Sequence, residues 1–367
     1  MTYTNLVVFI CDSLRYDFTP LLVKYLGIDF KRIKIIKAIS PATSTPAAIA
    51  SIITALEPLH HNVRYFTDKL DPTIDTVFKY FSNYEFYDYP LDPVRRVILG
   101  LKSKPKELAE MNEPFIWIER IMETHVPYGI IHHGNSVSEG VINEYLKLLR
   151  RGKINFYKEY KKGVIEAAKH IRKHINELNE LKLADRTLIV ITADHGETSL
   201  GQHMFPYGLE LVLVPVIFIF NNPTDKVRIR MPNIIRLVDV LPTALEILGL
   251  SWPNRRSVIG KSLNVIYALN VAYEHIPVIW EITCSNCSIK DVIYQNNVYR
   301  MLGKFFIKLA LTKEFAPILV KIKEKHMRKF SSLIKRLRLK SMEKDVRSKL
   351  RIKLRRLRKR LVEKAHE

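Results

Sequence analysis

The chain has 367 residues, with 59 Lys and Arg against 37 Asp and Glu, a net charge of +22. Apolar residues make up 47% and there are only 13 Gly, which excludes a disordered or collagen-like chain, because enough hydrophobic area exists to offset the entropy of ordering. The length is sufficient for one large core or two modest ones.

The chain opens on an apolar run at 6–11, read as a buried strand, with Asp12 directly after it. The run is too short for a signal-peptide core and has no basic segment ahead of it, so a cytoplasmic address is the expectation. Next, Thr43, Ser44 and Thr45 precede Pro46 and a stretch of small apolar residues, the pattern of a helix with Pro in its first turn. Residues 115–118 predict another strand, with Glu123 and His125 a few positions beyond. The segment 155–181 carries Lys, Glu and Ala at helical spacing and predicts a long helix. A strand at 187–192 is followed, after a single Ala, by Asp194, His195, Gly196 and Glu197. Residues 214–220 predict a further strand; the surrounding apolar stretch falls short of the ~18 residues of a membrane span and contains Pro215. Val238, Leu241, Leu245 and Leu248 share one helical face, and Gly249 supplies a stop, predicting a helix over 234–248. A weaker strand is read at 277–282.

Three cysteines argue against a disulfide framework. Cys284 and Cys287 form one CxxC, but zinc would need a second pair or nearby histidines, and two partly buried thiols is the reading. From Lys313 to Glu367 there are 21 Lys and Arg against 6 Asp and Glu, so most of the excess charge is at the C-terminus. There Val346, Leu350, Leu354, Leu357 and Leu361 form a helical stripe beneath a basic surface. Three roles are open for this tail: a helix packed on the body or self-paired, an amphipathic segment on an anionic membrane face, or a nucleic-acid-binding arm. Its aliphatic stripe lacks bases' aromatic stacking partners, which favours membrane over nucleic acid.

Before the tail, short apolar runs alternate with amphipathic stretches, which predicts an α/β fold with a mostly parallel central sheet covered by helices. In such sheets functional groups gather past the C-terminal strand ends. Asp12, Asp194 and His195 all fall there and offer a ligand set for a divalent ion. A hydroxyl at the start of the 45–54 helix would have the positive end of the helix dipole nearby, and a metal would complete its activation.

Together these segments resemble the sulfatase and alkaline phosphatase superfamily. The 5–17 segment, with Asp12, Arg15 and Asp17, looks like its opening strand and first ligand loop. Thr45 to Ala55, followed by Pro58, His60 and His61, looks like its nucleophile helix, and Ile191 to Glu197 is similar to its second ligand motif. Gly201, Gln202 and His203, the 214–218 strand, and the segment from Leu237 to Gly249 follow in the family's order. The resemblance covers most of residues 5–265.

The resemblance implies an alkaline-phosphatase-like three-layer sandwich in residues 1–265, a C-terminal subdomain at 266–312, and the basic helical tail at 313–367. It implies a metal held by Asp12, Asp194, His195 and Thr45, with Mn²⁺ or Zn²⁺ favoured and Ca²⁺ or Mg²⁺ possible. Thr45 would attack phosphorus or sulfur and pass through a covalent intermediate, with His125 facing substrate and His203 on the leaving-group side, either one able to protonate the leaving oxygen. Alignment through Ser51 and Thr54 selects Thr45 as nucleophile, whereas alignment through Pro46 selects Ser44. A second, distorted metal site from Glu123, His125 and His203 is the less favoured alternative to a single metal. Sulfatases carry a formylglycine made from Cys at the place of Thr45, followed by an Arg that is missing here, so a phosphate ester is the leading substrate class. A sulfate ester is the alternative, and so is a degenerate member that binds an anionic partner through its tail.

Overall fold

The computed structural model describes residues 3–283 except 89–92, 131–136, 202–208, 222–228, 233, 256, 260–264 and 272–276. Seven strands form one sheet: β1 (Asn5–Cys11), β2 (Ile33–Ile39), β3 (Asn83–Tyr87), β4 (Phe115–Ile121), β5 (Thr187–Thr192), β6 (Leu213–Ile219) and β7 (Ile234–Arg236), in the order β3-β4-β1-β5-β6-β2-β7. The neighbours β3–β4, β4–β1, β1–β5 and β2–β7 are parallel. The expected α/β architecture with a mostly parallel sheet is thus present.

One feature of the sheet was not read from sequence. β6 runs antiparallel to both β5 and β2, with Ile191 opposite Ile217 and Ile36 opposite Val216. An apolar run buried on both faces carries no mark of its direction, so the residues of β6 could not disclose it. β1, β4, β5 and β6 are buried along their whole length, and their side chains form most of one continuous core.

The helices are α1 (Thr19–Leu26), α2 (Thr45–Thr54), α3 (Pro58–His61), α4 (Glu139–Arg150), α5 (Phe156–Glu180) and a last helix, Val240–Ile247. α1 packs on α5, and α2 packs on α3 and on the segment that leads into the last helix. The predicted long helix appears as α5, capped by Asn155, whose side chain accepts a hydrogen bond from the Lys158 N–H at 3.0 Å. The helix expected over 234–248 is shorter. Residues 234–236 form β7 against the open edge of β2, and a 3-10 turn at Leu237–Asp239 precedes Val240. Gly249, with φ of 78°, ends this segment in the left-handed conformation, as its position predicted.

A separate hairpin pairs β8 (Val265–Val271) with β9 (Pro277–Thr283), extending the weak strand read at 277–282. Cys284, Cys287 and the tail 313–367 lie outside the described residues. Among the described residues no helix is long and apolar enough to cross a membrane.

Candidate functional site

β1 and β5 are adjacent and parallel, so the residues that leave their C-terminal ends emerge side by side. Asp12 follows β1 immediately and Asp194 follows β5 by two residues. The chain reverses at Ser13, whose φ of 65° is left-handed, and this turn aims its N–H at Asp194 Oδ1 at 3.0 Å. Tyr160 of α5 secures the turn by donating to the Ser13 carbonyl at 2.6 Å and accepting from the Arg15 N–H at 2.9 Å. The Asp12 backbone is held on both sides: its N–H donates to the Ile121 carbonyl at 2.9 Å and its carbonyl accepts from Thr124 Oγ1 at 2.6 Å.

Thr45 opens α2, with Ser44 as the N-cap residue and Pro46 in the first turn. The hydroxyl of Thr45 lies 3.2 Å from Asp12 Oδ2 and 3.2 Å from His195 Nε2, and the residue is buried. Ser44 is half-buried and its side chain makes no cap bond. Of the two hydroxyls left open by sequence alignment, Thr45 is the one directed at Asp12 and His195.

His195 is fully buried and its Nδ1 lies 2.8 Å from the Gly196 carbonyl oxygen. That oxygen can only accept, so Nδ1 carries the hydrogen and Nε2 turns its lone pair toward Thr45 and Asp194. Gly196 is required by packing: a Cβ there would stand 1.8 Å from the Glu210 carbonyl oxygen, and the Gly196 N–H donates to the Leu211 carbonyl at 2.8 Å.

The residues present fit a divalent cation. Ligand atoms of Asp12, Asp194 and His195 all lie within 4.8 Å of one another, and all three residues are buried. Asp194 Oδ1 accepts from two backbone N–H groups, but Oδ2 is buried without a hydrogen-bond donor among the described residues. A buried carboxylate oxygen left so is costly unless a cation meets it. Burial and the charge of Asp12 raise the Asp194 pKa, against the pull of His195, Arg120 and the Ser13 N–H.

Two charged residues at the site were missed by sequence reading. Arg120, on β4, donates from Nε at 3.0 Å and Nη2 at 2.7 Å to Asp12 Oδ2, and from Nη1 at 3.0 Å to Asp88 Oδ1. Burial opposes its charge, yet Asp88 and Asp12 raise its pKa above the ordinary value. It brings a guanidinium to the same Asp12 oxygen that the Thr45 hydroxyl approaches. The signal available was a Glu-Arg pair inside an apolar run, since such charges are rarely buried without partners. The other residue is His170 of α5, whose imidazole lies 3.1 Å from Glu119 and 2.7 Å from Glu123. Burial works against its charge, but these two carboxylates push its pKa up to about 10.

Of the predicted site residues, Asp12, Thr45, Asp194 and His195 are brought together. His125 is half-buried in the loop after β4, with Nδ1 2.6 Å from the Val126 carbonyl oxygen. His203 lies outside the described residues. Glu123 was considered as a ligand together with His125 and His203, but its Oε1 is turned toward His170 of α5 instead. α5 approaches this loop so closely at Gly163 that a Cβ there would be 2.3 Å from the Glu123 carbonyl oxygen.

No protein-family model matches the sequence. The low-salt glycan biosynthesis sulfotransferase Agl7 of Haloferax volcanii is 28% identical over 270 residues, which are 67% of this chain and 61% of that protein. The chain therefore spans about three fifths of the length of this curated relative. Arylsulfatase K of Mus musculus is 32% identical over 80 residues, 21% of this chain and 14% of that protein. Among solved structures, BT4656 in complex with its substrate D-glucosamine-2-N,6-O-disulfate superposes with a TM-score of 0.52 at 11% identity, over 76% of this chain and 87% of that one. BT1596, a 2-O GAG sulfatase, gives 0.51 at 16% identity, over 94% and 93%. At these identities the solved structures establish the fold.

The fold and site together define a mostly parallel α/β sheet with an Asp/Asp/His set at adjacent strand ends. In fold the chain is similar to these sulfatase structures, and over part of its length it is similar in sequence to Agl7 and to arylsulfatase K.

Proposed function

We propose that the protein is a divalent-metal-dependent hydrolase or transferase of phosphate esters that works through a covalent Thr45 intermediate. The observation that carries this reading is the Thr45 hydroxyl, 3.2 Å from both Asp12 Oδ2 and His195 Nε2 at the start of α2. Asp12, Asp194 and His195 would hold the ion, with Thr45 beside them. The imidazole favours Zn²⁺ or Mn²⁺ over Ca²⁺ or Mg²⁺. When bound, the ion supplies Lewis acidity, which lowers the pKa of a neighbouring hydroxyl and offsets charge on ester oxygens.

The chain's own groups account for the other requirements. The Thr45 oxygen attacks phosphorus in line and its proton passes to solvent. As the new P–O bond to Thr45 forms, the ester P–O bond opposite it breaks, and the leaving oxygen takes a proton from His125 or His203. Attack on the phosphothreonine by water or an acceptor alcohol returns the hydroxyl of Thr45. Arg120 holds Asp12 in position and brings positive charge to the place where anionic oxygens would gather. The basic tail at 313–367 would keep the protein on an anionic surface such as the inner membrane face, and its stripe could pair with a second copy.

A second reading, sulfuryl transfer, is favoured by the name of the Haloferax volcanii relative. A sulfated Thr has no hemiacetal route of release, so delivery to an acceptor alcohol is the form this reading takes.

The test is turnover of chromogenic phosphate monoester, phosphodiester and sulfate ester substrates after loading with Mn²⁺ or Zn²⁺, with and without an added alcohol acceptor. Phosphoester turnover that disappears in Thr45→Ala and Asp194→Ala is expected. Turnover restricted to the sulfate ester and dependent on acceptor would replace the first reading by the second. Absence of turnover with every ester and metal, in protein that binds anionic vesicles, would leave a binding role for the fold.

A further inference from the structure

β4 carries Glu119 and Arg120 in succession, and successive strand residues point to opposite faces. Arg120 reaches Asp12, while Glu119 reaches α5 and meets His170 and His174. These histidines are four residues apart, on one face of the helix, with ring centroids 5.2 Å apart. His170 Nε2 lies 3.1 Å from Glu119 Oε1, and His174 Nε2 lies 3.4 Å from Glu119 Oε2. Ligand atoms of the three residues all lie within 4.8 Å of one another.

The outer nitrogens are arranged just as deliberately. His170 Nδ1 lies 2.7 Å from Glu123 Oε1, and His174 Nδ1 lies 2.9 Å from Glu177 Oε2. A carboxylate on Nδ1 fixes a hydrogen there and aims Nε2 inward, which is how metal-bound histidines are oriented in proteins. Both Nε2 atoms and both oxygens of Glu119 therefore converge on one point. An apolar shell surrounds that point: the His174 ring is 6.0 Å from Phe9 and 5.1 Å from Trp117, both buried. Glu123 adds a buried oxygen, Oε2, without a hydrogen-bond donor among the described residues.

We propose that Glu119, His170 and His174 form a second divalent-metal site, on the opposite face of β4 from Asp12, which takes Zn²⁺ or a similar borderline ion and joins α5 to the sheet. Two imidazoles and one carboxylate select such an ion over Mg²⁺ or Ca²⁺, whose ligands are oxygens. The role is structural: the ion ties β4 to α5 and lies beside the rings of Phe9 and Trp117. The site does not depend on the reading of Thr45.

The experiment uses the full chain, stripped with chelator and reloaded with Zn²⁺, then freed of loose metal and assayed for bound zinc. Asp194→Asn is the background, to disable the Asp12 site. It is expected to retain one tight Zn²⁺ per chain, and adding His174→Gln is expected to weaken that binding at least ~100-fold. Glu177→Gln in the same background tests the outer carboxylate, at a helix position about a quarter exposed where folding is not at risk. It should weaken the ion by ~10–100-fold. Co²⁺ bound in the background should quench Trp117 fluorescence and show no thiolate charge-transfer band. The proposal is overturned if folded Asp194→Asn protein retains no ion. It is equally overturned if affinity is unchanged by both His174→Gln and Glu177→Gln, or if a thiolate band assigns the ion to the cysteines. Because the readout is bound metal, loss of this site and loss of esterase activity are separable results.

Discussion

Replacing Arg120 by Met tests the electrostatics of the site most directly. The guanidinium is 4% exposed and donates three hydrogen bonds, two to Asp12 Oδ2 and one to Asp88 Oδ1. Asp12 and Asp88 are both buried, so loss of the cation removes the guanidinium that bridges the two carboxylates. At an effective dielectric of about 20, each pair is worth about 4 kcal/mol at ~4 Å. Relief from desolvating the arginine returns part of this, and breaking buried pairs in other proteins costs about 3–5 kcal/mol. The expected loss for Arg120→Met in metal-free protein is therefore about 3–5 kcal/mol, read as a lower urea midpoint by far-UV circular dichroism in the presence of chelator. Asp88→Asn should reduce the cost of the arginine substitution by more than 1 kcal/mol, because the two groups interact directly. Saturating Mn²⁺ should also reduce it, because a cation on Asp12 would take over part of the compensation. A loss below about 1 kcal/mol, or the same loss in the Asp88→Asn background, would refute the claim that Arg120 neutralises this cluster.

Thr45→Ala should lower turnover at least ~10³-fold with a stability change below about 1 kcal/mol, since the contacts of the hydroxyl are long at 3.2 Å; Thr45→Ser should restore a measurable fraction. Residual turnover above a tenth of wild type in the Ala variant would exclude Thr45 as nucleophile. His61 of α3 is buried with Nδ1 accepting from the Val63 N–H and Nε2 facing Ser51 Oγ at 2.9 Å, and burial lowers its pKa from 6.5 to about 4. Between these values the unfolded chain binds the extra proton, so the stabilising contribution is present above pH 6.5 and is lost as pH falls toward 4. It should diminish by about 2 kcal/mol from pH 7 to pH 5. The gap in stability between wild type and His61→Asn, measured by urea unfolding at both pH values, should narrow by that amount, and a constant gap would rule out this titration. Gly163→Ala should destabilise by about 1–3 kcal/mol, or shift the loop that carries Glu123 and His125, because its Cβ would meet the Glu123 carbonyl at 2.3 Å; an unchanged melting temperature and unchanged turnover would contradict this packing.

The sequence was most informative where chemistry is local. Asp12 one residue past a strand, Asp194 and His195 just past another, and a hydroxyl-Pro helix start are short-range patterns, and each is found at its predicted place. α5 was equally legible, since 25 residues of amphipathic spacing with an Asn cap need no tertiary information. β2 and β3 were not read at all. Lys34 and Lys37 interrupt β2, and Glu85 interrupts β3, where it is buried only because Arg95 approaches to 2.8 Å. That partner is ten residues away and has no fixed spacing to announce it.

What the sequence by itself determined was Asp12, Thr45, Asp194 and His195 and the strands and helix that bear them, because alternation, capping and turn residues act over a few positions. Tertiary structure alone decided which groups meet. The antiparallel course of β6, the β1–β5 adjacency that joins Asp12 to Asp194, and the division of β4 between Arg120 on one face and Glu119 on the other arise from pairings across 24 to 182 residues. Such contacts are fixed by burial of the whole sheet, which no local stretch of residues encodes.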